Sequence, residues 1–139
     1  MGEKPSAVLE VYKDQVRDYV RAFNSGNLKK LRSLFTPNAL VYGVLGWGPV
    51  SKVEPIWKDL HECLSANLKI RCLVAENDFV AAQYSETGTS LKPFRGFPAT
   101  GRSYKVVAME FFSFEKGRIH RRWGARDSAS IFSQLGFTK

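Results

Sequence analysis

Histidine and cysteine are scarce in this 139-residue chain, with two of each, and their scarcity removes whole classes of chemistry. Cys63 and Cys72 have neither paired CxxC spacing nor the density of a disulfide framework. His61 and His120 lie far apart in sequence and belong to no HExxH-type cluster, so no metal site is expected. No nucleotide-binding glycine loop, flavin motif or recognisable nucleophile is present, which points to chemistry without a cofactor.

Long apolar runs are missing too. No window approaches the roughly 18 apolar residues of a membrane span, and the opening MGEKPSAVLE holds no secretory h-region. Gly2 and Ser6 match the spacing of an N-myristoylation signal, but so short a pattern recurs by chance, and Glu3 and Pro5 stand inside it. The expectation is a soluble, cytoplasmic protein with no membrane partner.

Carboxylates are the third deficit: 13 Asp and Glu stand against 21 Lys and Arg, a net charge of +8. That balance raises nucleic acid or an anionic substrate as a partner. The densest basic patches, NLKKLRSLF and GRIHRRWGARD, carry no helix-turn-helix, RRM signature or KH loop. A solvated basic face, with no nucleic-acid partner, is the expectation.

What the chain does have is enough apolar material for a core: 44% hydrophobic and 13% aromatic residues. At this length one domain spanning residues 1–139 is expected, burying about two thirds of its unfolded surface. Val8, Val11, Tyr12, Val16, Tyr19, Val20 and Phe23 recur at helical spacing, and Asn24, Ser25 and Gly26 end that helix. Asn27 caps a second helix with Leu28, Leu31, Leu34 and Phe35 on one face, ended by TPNA. LVYGV reads as a short strand followed by a glycine loop. Val53, Ile56, Trp57, Leu60 and Leu64 then mark a third helix, with Ser51 as its cap. LKIRCLVAE, FVAAQYSETGT, SYKVVAMEFFSFE and RIHRRWGAR follow as four strands, the last two joined by a hairpin turn at Lys116 and Gly117. Helices first and an antiparallel meander second is the α+β pattern, a curved sheet with helices over one face. Such a cone encloses an apolar cavity for a small hydrophobic molecule.

The ordered set VAA, TGT at Thr87 to Thr89, the loop of Gly96, Pro98, Thr100 and Gly101, KGRI, Trp123, Asp127 and Gln134-Leu135-Gly136 resembles the SnoaL-like polyketide cyclases and predicted ester cyclases of the NTF2-like superfamily. AFNSGNLKKLRSLFTPNALVY resembles the family's opening helices and first strand. The resemblance implies a cone-shaped α+β barrel, a ligand cavity between sheet and helices, pairing through the sheet, and a carboxylate near the last strand as acid/base for intramolecular aldol chemistry. Asp127 is the matching position. Relatives of this kind carry histidine where this chain has Tyr42 and Ser90.

Strand parity points the same way. Ile119, Arg121, Trp123, Ala125 and Asp127 share one face of an ideal strand, and Ile119 and Trp123 mark it as inward. Asp127 is then a candidate acid/base on an apolar wall, where desolvation disfavours its charge; capping the helix begun by DSASIF, or pairing with an arginine, are the structural alternatives. Glu110 lies on an apolar strand with Val106, Ala108 and Phe112 on its parity, so it enters the cavity or pairs with an arginine. Gln83 is a candidate donor to a substrate carbonyl. Tyr42, Trp47, Trp57 and Trp123 are candidates for the cavity wall. Apolar residues on both faces of SYKVVAMEFFSFE and LKIRCLVAE predict a homodimer, because three helices cover only one face. The activity these features suggest is cyclisation or isomerisation of a hydrophobic carbonyl compound; a ligand-binding or scaffold domain without turnover is the alternative.

Overall fold

A computed structural model describes residues 4–43 and 45–138. Gly2 of the myristoylation spacing and Val44, the last residue of the expected LVYGV strand, lie outside the described residues. The amphipathic N-terminal stretch forms α1 (Ser6–Ser25), ended by Gly26 in the left-handed conformation, and Asn27 caps α2 (Leu28–Ser33) by accepting from the Lys30 amide. Asn24 then ties the end of α1 to the sheet, exchanging two hydrogen bonds with the Leu68 backbone at 2.8 and 2.9 Å.

Phe35 does not extend the helical face as its spacing predicts. It opens strand β1 (Phe35–Gly43), because Pro37 supplies no amide proton to a helix and biases Thr36 toward an extended backbone. The glycine-rich stretch that follows, expected as a loop, adds a short strand β2 (Gly46–Pro49) paired antiparallel to β1. Helix α3 (Val50–Leu64) starts from Pro49 with no side-chain cap, so Ser51 does not take the capping role. Strands β3 (Asn67–Glu76), β4 (Phe79–Thr89), β5 (Ser103–Glu115) and β6 (Arg118–Arg126) form the meander, and α4 (Ser128–Leu135) follows it.

The sheet order is β2-β1-β6-β5-β4-β3, antiparallel except where β1 runs parallel to β6. The result is a curved, unclosed α+β sheet with helices gathered on one face. Strand β5 shows why the two faces differ. Tyr104, Val106, Ala108, Glu110, Phe112 and Phe114 are buried under the helices, while the alternating Val107, Met109 and Phe111 are exposed. Tyr19 of α1 packs edge-on against Phe35, Trp57 and Phe112, joining helices and sheet in one aromatic core. Gly88 in β4 permits the closest approach: a Cβ there meets the Tyr104 ring and lies 2.6 Å from the Leu64 carbonyl oxygen.

One irregularity decides what the cavity contains. Phe114 pairs with Ile119 but Ser113 pairs with Arg121, so His120 is an extra residue, a bulge that turns the rest of β6 over. The side chains of Thr36 and Glu115 hold the His120 ring at 2.8 and 3.1 Å. Beyond the bulge Arg122, Gly124 and Arg126 face inward, and Arg121, Trp123 and Ala125 face outward. Uninterrupted alternation assigns the opposite.

Candidate functional site

Between the sheet and α1, α3 and α4 lies a cavity of about 120 Å³, walled by apolar side chains that include Phe23, Val41, Ile56, Trp57, Leu60 and Ile131. Four strand residues bring charge onto its lining: Glu86 of β4, Glu110 of β5, and Arg122 and Arg126 of β6. Burying a carboxylate and a guanidinium in such a wall is tolerable only when each satisfies the other, and the four form two ion pairs, Glu110 with Arg122 and Glu86 with Arg126.

The two pairs are completed differently. Glu86 accepts from Arg126 Nε at 3.0 Å on Oε1, and from Arg126 Nη2 and the Tyr104 hydroxyl on Oε2. Both oxygens are engaged. At the other pair, Arg122 and the Tyr19 hydroxyl, the latter at 2.9 Å, both donate to Oε2 of Glu110. Oε1 of Glu110, Nε of Arg122 and the hydroxyl of Tyr84 are buried with no partner. Tyr84 sits two residues from Ala82, the residue that pairs with Glu110 across the strands, and on the same face. Three unmatched polar atoms therefore gather on one part of an otherwise apolar lining. Gly124 makes room for this pair, since a Cβ there lies 2.6 Å from Arg122 Nη1.

Protonation is settled by burial. Desolvation, reinforced by the Glu110 charge, pushes the Tyr19 and Tyr84 hydroxyls well above the usual phenol range, so both remain donors. Tyr104 is raised in the same way by burial and Glu86. Burial acts against the charge of Arg122, but Tyr19 and Glu110 beside it outweigh that and hold the guanidinium protonated.

The candidates from sequence separate into three groups. Glu110 and Trp57 line the cavity. Tyr42, Trp47, Gln83 and Trp123 lie on the opposite face of the sheet, where Trp123 meets the rings of Trp47 and Phe111, and an open groove of about 470 Å³ runs past Tyr42, Gln83 and Trp123. Asp127 does not join the wall: it is exposed and caps α4, its Oδ1 accepting from the Ser130 amide at 2.9 Å. The bulge at His120 is the physical reason for these corrections on β6, and the outward residue of β1 after Val41 accounts for Tyr42. Ser90 is buried and structural, its hydroxyl accepting from the Thr100 amide at 3.0 Å to pin the following loop. Sequence reasoning singled out none of Arg122, Tyr19, Tyr84 and Tyr104, and weighed Arg126 only as an ion-pair partner of Asp127. The available signal was two glutamates inside apolar strands facing two arginines four residues apart. Among the described residues no group of three or more potential metal ligands gathers, and no helix is long and apolar enough to cross a membrane.

A family model described as SnoaL-like polyketide cyclase matches residues 13–135. The chain belongs to that family. Solved structures share its fold at low identity. A candidate SnoaL-like polyketide cyclase from Jannaschia sp. CCS1 superposes with a TM-score of 0.86 at 16% identity, covering 99% of this chain and 100% of that one. IdmH, a candidate polyketide cyclase from Streptomyces antibioticus, gives 0.78 at 24% identity, covering 89% and 97%. AclR from Streptomyces galilaeus, a candidate hydroxylase, gives 0.85 at 19% identity over 94% and 99%. Different reactions are thus named on one fold, so the reaction has to be argued from the site. Curated protein sequences give no match.

Proposed function

We propose that this SnoaL-like chain acts as one domain and carries out cofactor-independent acid/base chemistry on a small hydrophobic carbonyl compound held in the inner cavity, leading to cyclisation or isomerisation. The observation that carries this reading is the pair of buried polar atoms left without a well-formed hydrogen bond, Glu110 Oε1 and the neighbouring Tyr84 hydroxyl, both on residues of the cavity lining. Leaving such atoms unpaired costs about 1–3 kcal/mol each, and a ligand offering the complementary groups recovers it. Glu110 Oε1 takes a proton from the carbon next to the carbonyl, and the Tyr84 hydroxyl donates to the oxygen on which charge develops. Attack of that carbon on a second carbonyl closes a ring; return of the proton to a different carbon isomerises. Positioned acid/base groups of this kind contribute about 10²–10⁴ in rate. Glu110 takes over the role that strand alternation suggests for Asp127.

The test is exchange of the α-protons of a cyclic ketone into deuterated water, followed by NMR. Glu110→Gln lowers the exchange rate at least about a hundredfold while the ketone still binds. An unchanged rate overturns the assignment. A second reading, ligand binding without turnover, is favoured by the ion pair itself, since Arg122 and Tyr19 already engage the Glu110 carboxylate. Binding with no exchange in the unmodified protein selects that reading.

The outer face of the sheet supports a homodimer. Val74, Phe79, Val107, Met109 and Phe111 are exposed there together with Trp47 and Tyr42, and a self-complementary two-fold contact covers such a face most simply. Sedimentation at micromolar concentration gives about twice the 15.7 kDa chain mass; a clean monomer refutes pairing.

A further inference from the structure

The charges lining the cavity do not balance. Lys52, Arg95, Arg122 and Arg126 face Glu86 and Glu110, and both carboxylates are already engaged by Arg122 and Arg126. Lys52 and Arg95 are the exposed charged members of the lining, and among the described residues neither has a carboxylate partner. Each is nonetheless held in place. The stem of Lys52 packs closely over Gly48, where a Cβ would push it aside, and its ammonium makes only long contacts of 3.4 Å to the Leu45 and Trp47 carbonyls.

Arg95 is held at a conformational cost. It occupies, with Gly96, the two-residue turn of a miniature hairpin closed by reciprocal backbone bonds between Phe94 and Phe97 at 2.9 and 3.0 Å. Both turn residues have positive φ, +49° and +84°, a conformation that favours Gly, Asn or Asp at the position Arg95 fills. Its guanidinium lies 5.1 Å from the centroid of the Phe94 ring, itself buried on the lining. A cation kept on a left-handed backbone at the edge of a cavity is the kind of strain that marks binding sites.

Size completes the picture. A cavity of about 150 Å³ holds one benzene ring, so the 120 Å³ here takes a body of about one ring and leaves the remainder of the ligand at the mouth. We propose that Lys52 and Arg95 form an anion-recognising rim and that the molecule entering the cavity is an amphipathic acid, an apolar ring bearing a carboxylate. The inference rests on the cavity being the ligand site, as in the functional reading above, and names the substrate class.

The test compares 3-phenylpropanoate with its methyl ester, titrated into the full chain at low salt and followed by NMR shifts of Trp57 and Ile131. The acid binds about tenfold tighter than the ester. Lys52→Gln with Arg95→Gln abolishes the preference and leaves the ester affinity within about twofold, and salt at about 0.5 M, which screens exposed charges over about 4 Å, shrinks the preference in the unmodified protein. Arg95→Gly, which relieves the left-handed backbone and keeps the fold, reduces the preference on its own. Equal binding of acid and ester, or a preference that survives the double substitution, overturns the rim while leaving the cavity reading intact. Failure of both probes to shift Trp57 and Ile131 overturns both.

Discussion

The two ion pairs on the cavity lining are built from the same three residue types and differ in what they leave over. Glu86, Arg126 and Tyr104 close on themselves: each carboxylate oxygen is engaged and the tyrosine hydroxyl is spent on Glu86. Glu110, Arg122, Tyr19 and Tyr84 do not close, because both donors converge on one oxygen and leave Oε1 and a second hydroxyl free. A complete network rigidifies the sheet; an incomplete one keeps hydrogen-bonding capacity for a ligand, at a cost in stability.

The largest expected effect breaks the closed network. Glu86→Gln leaves Arg126 partly buried without a counter-charge and lowers the unfolding free energy by about 3 kcal/mol, read by urea titration. A loss of under about 1 kcal/mol would show that the pair is not structural.

Tyrosine substitutions sharpen the contrast. Tyr104→Phe removes a hydroxyl bonded to a charged group and costs about 1.5–3 kcal/mol. Tyr84→Phe removes an unmatched hydroxyl, leaves stability within about 0.5 kcal/mol or raises it, and weakens carbonyl ligands instead. Equal losses from the two would mean that Tyr84 is engaged after all.

Alkaline titration probes both networks together. Tyr19, Tyr84 and Tyr104 have pKa values raised on folding, so the folded chain retains protons that the unfolded chain gives up near pH 10. Their contribution is complete below that value and is lost as pH rises, by about 1.4 kcal/mol per pH unit for each tyrosine. Stability measured by urea titration falls above about pH 10; a flat profile from pH 9 to 11 contradicts the burial of these hydroxyls.

A last, local effect separates both networks from the terminal helix. Asp127→Ala costs about 1 kcal/mol through its lost cap and leaves α-proton exchange unchanged. A loss of exchange would return the acid/base role to Asp127.

Sequence alone determined most of the architecture, because local rules decide it. The period of Tyr12, Val16, Tyr19, Val20 and Phe23 makes α1, and the strict alternation of Tyr104 to Phe114 makes β5 with Glu110 on its buried side. The cap at Asn27, the hairpin at Lys116 and Gly117, and the family motifs were legible for the same reason. Tertiary structure decided the site. One inserted residue at His120 reverses every later side chain of β6, sending Arg122 and Arg126 inward to the two glutamates, Trp123 outward, and Asp127 onto a helix end. A bulge depends on how a strand meets its partner, which is a property of two segments distant in sequence, so no pattern within GRIHRRWGARD announces it. The unmatched atoms of Glu110, Arg122 and Tyr84 are likewise visible only once three strands are side by side.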